Sequence, residues 1–96
     1  MLELRKPLLL GEVLDLKAAG PLADELLATR GIDIQLDGSA VQRVGALCLQ
    51  ILVAARRTWK VDRAGFAILS ASEQLRNTAA FLGATTALFD PTEDIQ

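Results

Sequence analysis

The groups in this chain that could do chemistry are one cysteine, three isolated serines, a pair of aspartates and a short basic run. None of them finds the companion its chemistry needs. A thiol or hydroxyl becomes a nucleophile when a neighbouring base takes its proton, and the chain holds no histidine. Cys48 sits in the apolar run "ALCLQIL" and reads as packing. Zinc sites draw on cysteine and histidine, so one cysteine and no histidine leave no metal centre to expect. Asp33 and Asp37 flank Gln35 with no metal-binding companion and read as turn and edge residues. Ser39, Ser70 and Ser72 suit turns and helix caps. No glycine-rich phosphate loop is present, and no cofactor is expected.

Arg56, Arg57, Lys60 and Arg63 cluster, but the formal charge is -2 and no aromatic residues interleave with them. Nucleic-acid sites combine net positive charge with stacking platforms. The run therefore reads as a solvated helix end, and nucleic acid is not the expected partner. A lone cysteine also rules out an internal disulfide and fits a reducing compartment. The longest apolar stretches reach about a dozen interrupted residues, too few to span a bilayer, and the N-terminal run lacks a cleavage pattern. A cytoplasmic, non-catalytic binding protein is the expectation, with no direct membrane insertion. The residues set no oligomeric state.

These groups must be positioned by a chain of 96 residues, 51% of them hydrophobic and 23% charged. That is one domain's worth, able to bury roughly 60–65% of its unfolded surface. "LELRKPLLLGEV" predicts one or two short strands, with Pro7 at an edge or connection. In "AAGPLADELLATRG", Pro21 predicts the first helical position, Asp24 and Glu25 face the helix dipole, and Arg30 with Gly31 marks the stop. Leu22, Leu26 and Leu27 supply its apolar face. "IDIQL" alternates as a strand does, and "GFAILS" is a second apolar strand. A helix is predicted from about Ala46 to Lys60. A further helix in "SASEQLRNTAAFLG" has Ser70 and Glu73 at capping-box spacing and Gly83 as its stop. "ATTALFDPTEDIQ" adds a short segment before an acidic end.

Strands alternating with helices imply crossovers and a largely parallel sheet. The fold expected is α/β, a single domain over 1–96 with its core at about 2–84 and a C-terminal tail at 85–96. Around the helix from Ala46, the wheel places Leu47, Cys48, Ile51, Leu52, Ala54, Ala55, Thr58 and Trp59 toward the sheet. It leaves Leu49 and Val53 outward, beside Arg56, as a modest apolar patch for a partner.

Two segments resemble the STAS domain, the fold of bacterial anti-sigma factor antagonists. "GEVLDLKAAGPLADEL" is similar to the family's early G-x-L-D pattern followed by a leucine-rich helix. "IDIQLDGSAVQRVGALCLQIL" is similar to its strand, turn and helix, whose usual core reads like L-S-x-V-x-x-I-D-S-S-G-L. The resemblance implies a STAS-like domain with a mixed, mostly parallel sheet and helices packed mainly on one side. It sets the family's conserved aspartate on Arg43, its phosphorylatable serine on Gly45, the following glycine on Ala46 and the leucine on Leu47. In members with the switch, a partner kinase phosphorylates that serine and breaks the complex. Gly45 has no hydroxyl, so no phosphorylation site is expected there.

Among variants without the serine, the chain most resembles small STAS proteins of bacterial chemotaxis systems, through "PLADELLATRG", "VQRVGALCLQILVAARRTW" and "SEQLRNTAAFLGA". This implies an adaptor that binds a chemotaxis histidine kinase and tunes its phosphorelay. The alternatives are an anti-sigma factor antagonist and the STAS subunit of a phospholipid-transport ABC complex, whose partner is an ATPase. That last group also has glycine at the position of Gly45, though usually threonine where Val44 stands. The family's docking surface maps onto Arg43, Val44, Gly45, Ala46, Leu49, Gln50 and Val53.

Overall fold

The computed structural model describes residues 7–89; residues 1–6 and the acidic end from 90 onward lie outside the described residues. In chain order the elements are strands β1 (Leu8–Leu9) and β2 (Val13–Leu14), helix α1 (Leu16–Ala28), strands β3 (Ile34–Asp37) and β4 (Arg43–Val44), helix α2 (Ala46–Val61), strand β5 (Phe66–Leu69), and helices α3 (Glu73–Phe81) and α4 (Thr85–Phe89). The three longer crossovers run through helices, so strands meet in parallel. One sheet has the order β1-β3-β5 and a second pairs β2 with β4; every pairing among the described residues is parallel. Leu36 sits at the centre, opposite Leu8 on one side and Ile68 on the other, and is fully buried.

β4 was not expected. The stretch between β3 and α2 reads as a turn because two residues carry no alternation to detect. The pairing is made by position: Val13 lies beside Arg43 and Leu14 beside Val44, and Gln42 and Arg43 both donate their N–H to the Glu12 carbonyl.

Local signals explain most helix ends. α1 begins five residues before Pro21, because the Asp15 carboxylate accepts from Ala18 N–H at 3.1 Å and caps it. Pro21 is therefore inside the helix, and Asp24 and Glu25 are clear of its first turn. Its ring removes one N–H, and the carbonyl left without that donor belongs to the exposed Lys17, where water can serve it. Gly31 takes φ +87 just past the helix and Gly83 takes φ +73 past α3, as the stop signals predict. Ser72, and not Ser70, caps α3: its Oγ accepts from Leu75 N–H and donates to the Val41 carbonyl. Ser70 instead adopts φ 54 in the turn after β5.

The core gathers Leu14, Leu22, Leu26, Leu36, Leu52, Trp59 and Leu75 with smaller neighbours. Packing continues past residue 84: Leu88 on α4 is buried in the same cluster. Trp59 donates its indole N–H to the Ile32 carbonyl at 2.7 Å, and its ring lies 5.8 Å from that of Phe66, tilted by 60°. Arg30 grips Asp62 at 2.9 and 3.4 Å, joining the C-terminal ends of α1 and α2. That hydrogen bond holds the Asp62 carboxyl below its ordinary value. α3 lies close over Gly38: a side chain there would meet Leu75 Cδ2 at 2.9 Å.

Candidate functional site

The turn between β4 and α2 is built by backbone bonds to β2. Gly45 donates to the Leu14 carbonyl at 2.8 Å, and its own carbonyl accepts the first helical bond from Leu49 N–H. Gly45 is the N-cap of α2, exposed, with extended backbone (φ -88, ψ 166) and no side chain to satisfy the first helical N–H groups. Neither conformation nor space demands glycine here. A methyl would meet only the Leu14 carbonyl, at 3.6 Å. A serine would fit at this position, and Gly45 supplies no hydroxyl.

α2 is rotated relative to the sequence wheel. Its buried residues are Cys48, Leu49, Leu52, Ala55, Arg56 and Trp59, a stripe whose centre lies roughly 80° from the face expected. Leu47, assigned to the sheet, is 45% exposed; Leu49, assigned outward, is 2% exposed. The reason is a neighbour that the wheel did not contain. α4 packs on α2, as α1 does; Ala87 of α4 lies with Leu49 along one groove, and α4 carbonyls hold Arg56. Arg56 is likewise no solvated helix end: it is buried, and donates to the carbonyls of Thr86 and Ala87 at 3.2 and 3.0 Å. A guanidinium offers several donors, so one side chain fixes the height of α4 against α2.

Between these helices runs a groove of about 390 Å³. One wall is Ala46, Leu49, Gln50, Val53, Ala54 and Arg57 of α2; the other is Leu82, Gly83, Ala84 and Ala87 from the α3–α4 connection and α4. Ala46, Leu49, Gln50 and Val53, all assigned to the docking surface from the sequence, thus lie together. Leu49 contributes from the floor and Gln50 from the rim. Arg43 and Gly45 are exposed beyond the α2 end of the groove, and Val44 is half-buried against the core. Sequence reasoning missed the second wall. Its signal was the pair Phe81–Leu82 just ahead of the Gly83 stop, two large apolar residues where a helix ends. Phe81 is 88% exposed.

The remaining reactive groups are structural. Cys48 is buried, its Sγ donating to the Asp15 carbonyl at 3.3 Å, and burial pushes its thiol above the ordinary value, which keeps it protonated. Asp33 accepts from Gly65 N–H, a long-range bond that ties the chain ahead of β3 to the chain ahead of β5, and Asp37 accepts from Ser39 N–H within its own turn. Among the described residues no group of three or more His, Cys, Asp or Glu could hold a metal ion, and no helix is long and apolar enough to cross a membrane.

A family model described as "Mlab, STAS domain" matches residues 6–90. No curated protein and no solved structure matches the chain. The match spans both sheets, the capped turn at Gly45 and the groove beside it. The chain belongs to the STAS domain family, whose members are protein-interaction modules of the anti-sigma factor antagonist type and generally non-catalytic.

Proposed function

We propose that this domain is a non-catalytic cytoplasmic adaptor that holds a protein partner on the exposed end of α2 and the adjoining groove, with no phosphorylation switch. One observation carries the reading: the helix N-cap at Gly45 is open and lacks a hydroxyl, while Leu47, Gln50 and the groove lie immediately beside it. A surface that the family regulates by adding charge is here left without the acceptor. The docking residues are Arg43, Gly45, Ala46, Gln50 and Val53, with Val44 and Leu49 supporting them from beneath and Leu47 added on grounds of exposure.

The partner proposed is a chemotaxis histidine kinase, supported by the resemblance of the α1, α2 and α3 segments to small chemotaxis STAS proteins. A second reading, the ATPase subunit of a phospholipid-transport ABC complex, is favoured by the glycine at position 45 that the chain shares with that group. Calorimetry against each purified partner separates them. Leu47→Asp tests the surface in either case. Burying a leucine contributes about 1.5–3 kcal/mol, and ~1.4 kcal/mol is tenfold in affinity. The variant binds at least tenfold more weakly and keeps its melting temperature, since an acidic residue in the first turn suits the helix dipole. Undiminished binding would place the interface elsewhere.

A further inference from the structure

α1 carries an apolar stripe whose two leucines stay exposed among the described residues. Leu16, Gly20, Ala23 and Leu27 recur at spacings of four, three and four residues, which aligns them along one line of the helix. Leu16 is 78% exposed and Leu27 is 65% exposed. Between them Ala23 is half-buried, and a methyl added at Gly20 would meet nothing within 4 Å. On one side the stripe borders the core residues Ala19, Leu22 and Leu26. On the other it borders Lys17 and Asp24, both exposed and neither in an ion pair among the described residues.

We propose that this stripe is the contact between two copies of the chain, with the two α1 helices antiparallel across a two-fold axis. The spacing reads the same in both directions. A reversed second copy therefore sets Leu16 against Leu27 and Gly20 against Ala23 at once, the large residues at the ends and the small ones where the helices come closest. Charge fixes the direction. Lys17 and Asp24 stand two turns apart on the same border, and only reversal brings Lys17 beside Asp24 of the partner subunit, twice by symmetry. A parallel copy leaves both residues facing the other copy's core side, with no opposite charge to meet. The 13 residues of α1 give a contact only about 20 Å long, so the dimer belongs at the weak end of specific interfaces.

Sedimentation equilibrium over a wide concentration range reads this directly. The wild-type chain shows a reversible monomer–dimer equilibrium. Leu27→Glu is monomeric throughout and, at concentrations where the wild type is also monomeric, melts at the wild-type temperature, because its side chain leaves no core site. Lys17→Asp alone and Asp24→Lys alone each raise the dissociation constant several-fold by opposing like charges, and the double variant returns it to near the wild-type value. A wild-type chain monomeric at every concentration overturns the proposal, and so does a dimer that survives Leu27→Glu. Failure of the double variant to recover overturns the antiparallel arrangement. A monomeric wild type that loses a heterologous partner on Leu27→Glu would assign the stripe to that partner instead. None of these readings depends on the docking face of α2.

Discussion

Leu27 on α1 and Leu49 on α2 are the same side chain on neighbouring helices, and each ends where its helix pattern does not send it. Leu27 belongs by pattern to an apolar inner face and stands in solvent; Leu49 belongs to an outer flank and lies in the core. The difference follows from what surrounds each helix. α1 packs on α2 and β2 and buries Ala19, Leu22 and Leu26, while Leu16 and Leu27 on its other flank stay exposed among the described residues. α2 packs on α1 and β5 and again on α4, so its buried arc is wide enough to take in Leu49 and Arg56. A helix wheel reports how apolar residues are distributed around an axis. How many neighbours the axis has is a separate quantity, and it decides which apolar residues are core.

The two helices also offer different kinds of surface. On α2 the open apolar surface is concave, a groove between helices with one basic side chain, Arg57, in its lining. A concave site admits something projecting from a partner. On α1 it is a convex stripe with mirrored spacing and mirrored charge, which suits a second copy of itself.

The sharpest way to break the comparison is to place an acid at each leucine. Leu49→Asp removes a buried leucine and leaves a carboxylate in its place. Loss of a core leucine alone costs about 2–5 kcal/mol, and the desolvated polar group adds to it. Urea denaturation shows a loss of at least ~3 kcal/mol, while Leu27→Glu in dilute solution stays within about 0.5 kcal/mol of wild type. Similar losses at both sites would erase the distinction between the helices.

A smaller effect sharpens the account of α1. Gly20→Ala places a methyl into open space in a helix interior, so the monomer gains about 0.5–1 kcal/mol. The same methyl stands between the helices of the proposed dimer and weakens it. Stability and association moving in opposite directions is the expected pair of results. Destabilisation of the monomer would show that the face is not open.

The smallest effect concerns the start of α2. Gly45→Ser fits the extended backbone and the available space, and its Oγ can accept from the unsatisfied N–H groups of the first turn. The gain over glycine at an N-cap is a few tenths of a kcal/mol, readable as a slightly raised denaturation midpoint. A loss of stability would mean that the turn does demand glycine, and that the missing hydroxyl is a requirement of the fold.

The sequence by itself determined what depends on a few adjacent residues. Glycines at 31 and 83 stop helices by taking positive φ, the alternation of "IDIQL" is a strand, and α2 begins at Ala46 as its spacing predicts. The order of motifs and the glycine at position 45 were legible for the same reason, since each is a statement about local positions. Tertiary structure decided everything that needed a second element. Ser72 took the cap of α3 from Ser70 because its hydroxyl also reaches the Val41 carbonyl. β4 exists because β2 lies beside it. Leu47 and Leu49 exchanged environments, Arg56 left solvent, and the groove gained its second wall, all because α4 folds back onto α2. Backbone preference acts within one turn and can be read along the chain; burial is set by the direction from which other chain segments arrive.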